Sequence, residues 1–453
     1  LKERALRAGV WTTLLSGGGV ILRFGSSMLM TRMLVPDVFG VVALSSVIFT
    51  IISLLADVGL RQCVIYSERG EEQSYLDTIW SVSALRGVFI TIVSALAAVG
   101  IWGLAQGGAF APGSVYVHPD LPAVLAVTAA SSLWMGVKSP KLYLLERKLD
   151  LKTIGYIDLL SMAIGTAVTL LLTWHWRSVW PIVISSHVSM IAMTLMSHYM
   201  IPGPIGRMGW DKGAIAEIIR YGRWILLSSI ASVFAMSADR LLLGVWLTAA
   251  ALGLYGLALN IISSVESLLS RPFVSVGMPA FSEVARRDAS GMKPVYLRFR
   301  RPLDIASVLA AGFFFAFGQL LIDVIYDERY ALAGRTLQIL SFTLLFPRFQ
   351  IAGAVHQALG HPQTNSWMNI AKLVSIFALV PIGHFLYGYE GAMWAISLHM
   401  VPAILVLFVA NRRFGLNDFA YEAKTLLLWP VGWGAGLLAV WIGRPVLAWL
   451  GIS

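Results

Sequence analysis

Cysteine is all but missing. Cys63 is the single one in 453 residues, which excludes an intramolecular disulfide and any cysteine-built metal centre. Charge is scarce too: Asp, Glu, Lys and Arg make up 13% of the chain, about half of what a soluble globular domain carries. That composition excludes a disordered chain and argues against a soluble one. There is no Walker A loop, so this chain holds no ATP-driven pump. It has no H-E-x-x-H, no G-x-S-x-G and no Cys/His metal spacing. No catalytic or metal-binding residue is assigned, and no cofactor is implied. Acid is the rarer sign, 24 residues against 34 basic ones for a net +10. In so apolar a chain that surplus reads as basic cytoplasmic loops rather than as a nucleic-acid surface.

Long apolar runs are what the sequence does have. Hydrophobic residues reach 57%, mean hydropathy is +0.75, and runs of about 20 residues read as membrane spans. Thirteen are expected, near 8–33, 38–60, 78–102, 121–137, 154–174, 179–200, 218–243, 252–275, 303–324, 336–359, 365–386, 391–410 and 425–446. The tail after Lys424 is too short for two spans, so an odd last helix or a truncated fourteenth is expected. Leu1 in place of Met suggests trimming at the start. Lys2, Arg4 and Arg7 precede an apolar stretch too long for a signal peptide and without a cleavage site, which is read as the first span. With the N-terminus in the cytoplasm, cytoplasmic segments carry 23 Lys and Arg and the opposite side five. The bias fixes the expected orientation. Trp102, Trp174, Trp176, Trp180 and Trp246 fall at the expected outer ends, as an aromatic belt would. The basic connectors 138–153 and 276–302 carry Leu, Tyr and Phe among their cations and suit anionic lipid headgroups.

A repeat organises these spans. Leu34–Leu44 reads LVPDVFGVVAL and Leu247–Leu257 reads LTAAALGLYGL, 213 residues on. Leucine, apolar and glycine positions coincide, at the same place in a six-span unit. The expected fold is an all-α polytopic membrane protein with two six-helix lobes related by a parallel pseudo-two-fold, plus one or two C-terminal helices. The expected divisions are 1–210, 211–410 and 411–453.

Six cations lie inside the spans: Arg23, Arg86, Arg240, Arg271, Arg348 and Lys372. Each costs about 2.5–3.5 kcal/mol at a bilayer centre, so each must snorkel, pair or line water. Ser16, Gly19, Arg23 and Ser26 share one helix face, as do Asn260, Ser264, Ser267 and Arg271, and Asn365, Asn369 and Lys372. Striped cations on several spans favour a shared polar interior for an anionic substrate, and arginine suits phosphate. Asp239, Glu266, Asp57 and Asp158 are the candidates for ion or proton coupling. Asp239 reads equally well as a local partner for Arg240. His187 and His198 read as packing histidines.

Several stretches carry a family resemblance. Thr31–Leu44 followed by Ala56-Asp57-Val58-Gly59-Leu60, then Ser139-Pro140, Asp239-Arg240-Leu241, Leu252-Gly253-Leu254-Tyr255 and Met278-Pro279-Ala280-Phe281-Ser282 resemble the polysaccharide transporter family of oligosaccharide flippases. These belong to the multidrug/oligosaccharidyl-lipid/polysaccharide exporter superfamily. The resemblance implies 12–14 helices in two lobes and a place in the bacterial inner membrane. It implies movement of an undecaprenyl-pyrophosphate-linked oligosaccharide between leaflets by alternating access, with membrane lipids and a glycan polymerase or export machinery as partners. Arg23 and Arg271 match positions where cavity arginines occur in related flippases of lipid-linked peptidoglycan precursors. The second repeat departs from the pattern, with Ala249-Ala250 where the first has Pro36-Asp37. A cation-coupled multidrug exporter and a membrane ligase or polymerase of lipid-linked sugars are the alternatives.

Overall fold

Proline opens helices throughout this chain. Pro36, Pro122, Pro181, Pro347 and Pro402 each stand in a first helical turn, where the fixed φ fits and the missing N–H breaks no bond. The structure, a computed structural model, describes residues 2–148, 150–203, 206–287, 291–361 and 363–449, with helices, turns and no strand among them. The chain forms two compact units, one of residues 1–237 and 244–250, the other of 238–243 and 251–453.

The first unit holds α1 (Lys2–Met33), α2 (Pro36–Leu55), α3 (Leu60–Tyr66), α4 (Gln73–Gln106), α5 (Leu121–Gly136), α6 (Lys141–Arg147), α7 (Leu151–His175), α8 (Trp180–Tyr199) and most of α9 (Lys212–Trp246). Its helices pack through small side chains, as apolar helices in lipid do. Ser132 on α5 donates to Gly87 O on α4 at 2.8 Å, and Thr169 on α7 meets Ser185 on α8 at 2.6 Å. The division between units runs through α9 and not between 210 and 211. The connector that was expected to part the halves is bonded to α4: Arg207 N donates to Asp77 Oδ1 at 3.1 Å, Gly209 N to Ser81 Oγ at 2.9 Å and Asp211 N to Thr78 Oγ1 at 2.9 Å.

The second unit holds α10 (Ala249–Arg287) beyond its first two residues, α11 (Met292–Ile325), α12 (Ala331–Leu340), α13 (Pro347–Ala358), α14 (Gln363–Leu398), α15 (Val401–Arg412), α16 (Phe419–Leu426) and α17 (Leu428–Trp449). Gly388, at φ 59° and ψ −139°, interrupts α14 in a conformation closed to residues with a side chain. The last helix is glued to α11. A Cβ on Gly432 would stand 2.2 Å from Leu309 O, and one on Gly312 2.2 Å from Trp429 O.

All thirteen expected spans fall on helix, but not all are continuous. The segment 336–359 is α12, a 3-10 stretch Ser341–Leu345 and α13, while 391–410 is broken at residues 399–400 between α14 and α15. Among the described residues nine helical stretches are long and apolar enough to cross a membrane, and ten if α5 and α6, bent by 67°, count together. One of the nine, Gln363–Arg412, is 50 residues long, enough for two passes of about 20. The side chains of α1 and α9 are described only in part, and these helices stand outside that count.

Candidate functional site

In the second unit, charged side chains from α9, α10 and α14 come together. Asp239, near the end of α9, is buried, and Tyr255 on α10 donates its hydroxyl to Asp239 Oδ2. Eleven residues, three helical turns, separate Tyr255 from Glu266, so both lie on one face of α10. Gln350 on α13 donates to Glu266 Oε1 at 3.4 Å. Lys372 on α14 is half-buried and lies within electrostatic reach of both Glu266 and Asp239. His399, in the break between α14 and α15, lies within reach of Lys372 and Asp239 and meets Ile396 O at 2.5 Å through Nδ1. Arg240 is half-buried, acts electrostatically on Tyr255, and its Nε finds no hydrogen-bond partner among the described residues. Sequence reasoning named Asp239, Glu266, Lys372 and Arg240. It missed Tyr255, Gln350 and His399. His399 carried no signal of its own in the sequence, because 391–410 reads as one apolar run.

Arg348 belongs elsewhere. It lies two residues before Gln350, about 200° around α13, so when Gln350 faces Glu266 the arginine faces away. Its guanidinium is buried, 3.4 Å from Glu422 on α16, with Nε on Leu345 O at 3.1 Å. Glu422 also pairs at 2.7 Å with Arg300 on α11, and Arg300 donates to Asp304 at 2.8 Å and to Tyr296 at 2.9 Å. Both guanidinium groups lie against the Phe349 ring, Arg300 at 4.9 Å and Arg348 at 4.6 Å. Two cations and two carboxylates neutralise one another here. The expectation that Arg348 lines an open polar interior is therefore corrected to a closed network.

The first unit places its charges separately. Arg23 is exposed on α1, and among the described residues no carboxylate lies within ion-pair distance of it. Gly19, on the same stripe, is buried against Met162 of α7, so the stripe is shared between packing and exposure. Arg86 on α4 pairs with Asp57 at 3.5 Å and donates to Ser53 O at 3.0 Å, which ties α4 to the end of α2. Asp158 lies within electrostatic reach of Lys138 and Glu146. His187 and His198 meet the carbonyls of Val127 and Val137 at 2.8 and 2.9 Å, as packing histidines do. The side chain of Arg271 lies outside the described residues.

The two turns of the repeat meet. A Cβ on Gly40 at the start of α2 would lie 1.7 Å from Ala249 O in the α9–α10 turn, so the backbones touch where only glycine fits. The loop after α4 docks on the same turn: Val115 N donates to Leu247 O at 2.9 Å and Ser114 Oγ to Gly244 O at 2.8 Å. These bonds satisfy carbonyls at the C-terminal end of α9 that the helix itself leaves open.

Residues 29–334 match the profile of a family described as polysaccharide biosynthesis protein. A curated relative, the amylovoran biosynthesis protein AmsL of Erwinia amylovora, is 24% identical over 178 residues, 38% of this chain and 45% of that protein. The chain thus matches less than half the length of this relative. Among solved structures, the lipid II flippase MurJ in an inward closed conformation aligns with a TM-score of 0.68 at 11% identity, over 96% of this chain and 100% of the other. An inward-facing multidrug resistance MATE family transporter of the MOP superfamily aligns at 0.66 and 16% identity, over 87% and 94%. At such identities the likeness is one of fold.

Proposed function

Because this chain belongs to the polysaccharide biosynthesis protein family and carries the fold of MOP-superfamily transporters, we propose that it moves a lipid-linked, pyrophosphate-bearing oligosaccharide across the bilayer. In full, the reading is an undecaprenyl-pyrophosphate-linked repeat unit carried from the cytoplasmic to the periplasmic leaflet by alternating access, with the N-terminus in the cytoplasm. Family and fold together support a membrane transport role. The observation that carries the substrate class is Arg23, an exposed arginine in the apolar run of α1 with no carboxylate within ion-pair distance among the described residues. Left in hydrocarbon it costs about 2.5–3.5 kcal/mol, and water with an anionic substrate removes that cost. Lys372 and Arg240 supply further positive charge, and Arg271 is proposed with them. Arg86, through Asp57, and Arg348, through Glu422, act as structural ties. Asp239 and Glu266 are the coupling candidates, since an acid held by a hydroxyl or an amide and faced by a lysine can exchange a proton. Asp57 and Asp158 act as partners for Arg86 and Lys138.

A cation-coupled exporter of cationic drugs would draw on the same two acids, so the test compares both substrates. Arg23→Ala and Lys372→Ala should each lower surface polysaccharide at least tenfold in a strain dependent on this gene, with the protein still in the membrane at normal amounts. Normal polysaccharide in both variants, with drug sensitivity on Asp239→Asn, overturns the proposal in favour of drug export.

A further inference from the structure

Charge is sorted by sign where α11, α15 and α16 meet. Among the described residues, the carboxylates at this end of the three elements are each held by partners within the protein. Asp304 accepts from Arg300 and, at 2.8 Å, from Tyr421 Oη; Glu422 is held by Arg300 and Arg348; Asp418 caps α16 by accepting from Tyr421 N at 3.0 Å. The cations left over turn outward: Arg298, Arg301, Arg412, Arg413 and Lys424 are all exposed.

The elements that carry these five are tied together. Arg298 and Arg301 are three apart on α11, and the Arg301 guanidinium lies 5.9 Å from the centre of the Tyr421 ring. Tyr421 and Lys424 are three apart on α16. The turn from Arg413 to Asp418 is closed by Leu416 N on Asn411 O at 3.1 Å and by Asn417 Nδ2 on Phe408 O at 2.8 Å, and Lys293 on α11 donates to Asn417 O at 3.3 Å. Helix α16 also exposes Phe419 (64%) and Leu426 (44%), followed by Leu427 (71%). The apolar surface continues without a break into α17, which exposes Val431, Leu438 and Trp441.

We propose that the start of α11, the α15–α16 turn and α16 form a docking surface for phospholipids with net negative headgroups. A short amphipathic helix with an apolar side, flanked by arginines that form no ion pair among the described residues and leading into a spanning helix, lies in the plane of the membrane surface. Continuity with α17 selects lipid as the occupant, and the segregation of charge selects anionic headgroups. Each basic residue near an anionic surface adds about fivefold to the preference. The buried network gives the surface its rigidity, because Glu422 pins α16 to α11 and α13 from within.

Binding to the purified full chain in a neutral detergent tests this, with short-chain phosphatidylglycerol and phosphatidylcholine as probes at about 0.15 M salt. The wild type should take phosphatidylglycerol at least tenfold more tightly. The triple variant Arg412→Gln, Arg413→Gln, Lys424→Gln should lose most of that preference, with its melting temperature in phosphatidylcholine unchanged. The double variant Arg207→Gln, Lys212→Gln removes exposed cations elsewhere and should keep it. Inorganic phosphate at the same concentration should not compete. Equal affinity for the two lipids, an equal loss in the double variant, or full competition by free phosphate each overturns the proposal.

Discussion

An arginine in a spanning helix must find water, a carboxylate or a carbonyl, and three arginines of this chain differ in what the chain offers them. Arg23 stays exposed, Arg86 divides its donors between Asp57 and a carbonyl, and Arg348 is buried beside Glu422. Composition revealed that such residues exist, and spacing placed Arg23 on a striped face. They could not reveal which face of α13 would turn toward α16, because Glu422 lies in a short helix 74 residues further on. Arg348→Ala should therefore cost about 3 kcal/mol of stability, as breaking a buried pair does. The unfolding midpoint in detergent checks this, and an unchanged midpoint contradicts it. Outside the spans, Arg69 binds Asp211 with two donors at 3.3 and 3.0 Å, which holds the Asp211 carboxyl down to about 2. An unfolded aspartate titrates near 4. The stabilisation by this pair is thus complete above about pH 4 and is lost as the pH falls toward 2. Melting temperatures measured from pH 6 down to 3 should fall more steeply for the wild type than for Asp211→Asn. Parallel curves would deny the pair its role in anchoring the connector.

At the scale of elements, packing in lipid depends on how closely backbones approach, because apolar side chains gain little there from leaving lipid for one another. Helix α17 is the clearest case. Gly432 meets Leu309 O of α11 and Gly436 meets Phe313 O, so a Gly-x-x-x-Gly pair forms the contact. Gly432→Leu should separate α17 from α11. It should cost at least the roughly 1–3 kcal/mol of an overpacked core, read as a lower melting temperature and faster proteolysis after residue 412. The equivalent change at Gly434, which meets nothing within 4 Å, should be tolerated. The positions of the helices were legible because apolar runs are long and proline marks their starts. The breaks at 341–345 and 399–400 were not, since 3-10 turns and helix gaps keep an apolar composition. Helix α16 was hidden for a related reason: with Leu426 and Leu427 it reads as the start of the last span.

For the whole molecule, the repeat at a spacing of 213 residues identified two turns, at Gly40 and at Ala249, that the structure brings into backbone contact. The boundary expected at residue 210 came from counting six spans to a lobe, but the backbone amides of Arg207, Gly209 and Asp211 around it are bonded to Asp77, Ser81 and Thr78 of α4. A polar segment is a free linker only when its hydrogen bonds go to water. The chain belongs to the polysaccharide biosynthesis protein family and shares its fold with solved transporters, and the proposed substrate class rests on Arg23, which has no carboxylate within ion-pair distance among the described residues. The most direct measurement is movement of a fluorescent polyprenyl-pyrophosphate oligosaccharide across proteoliposomes, followed by its accessibility to a membrane-impermeant quencher. The wild type should equilibrate the two leaflets, and Arg23→Ala should slow this at least tenfold while leaving a phosphate-free glycolipid at its background rate. Equal rates for wild type, Arg23→Ala and empty vesicles would contradict the account.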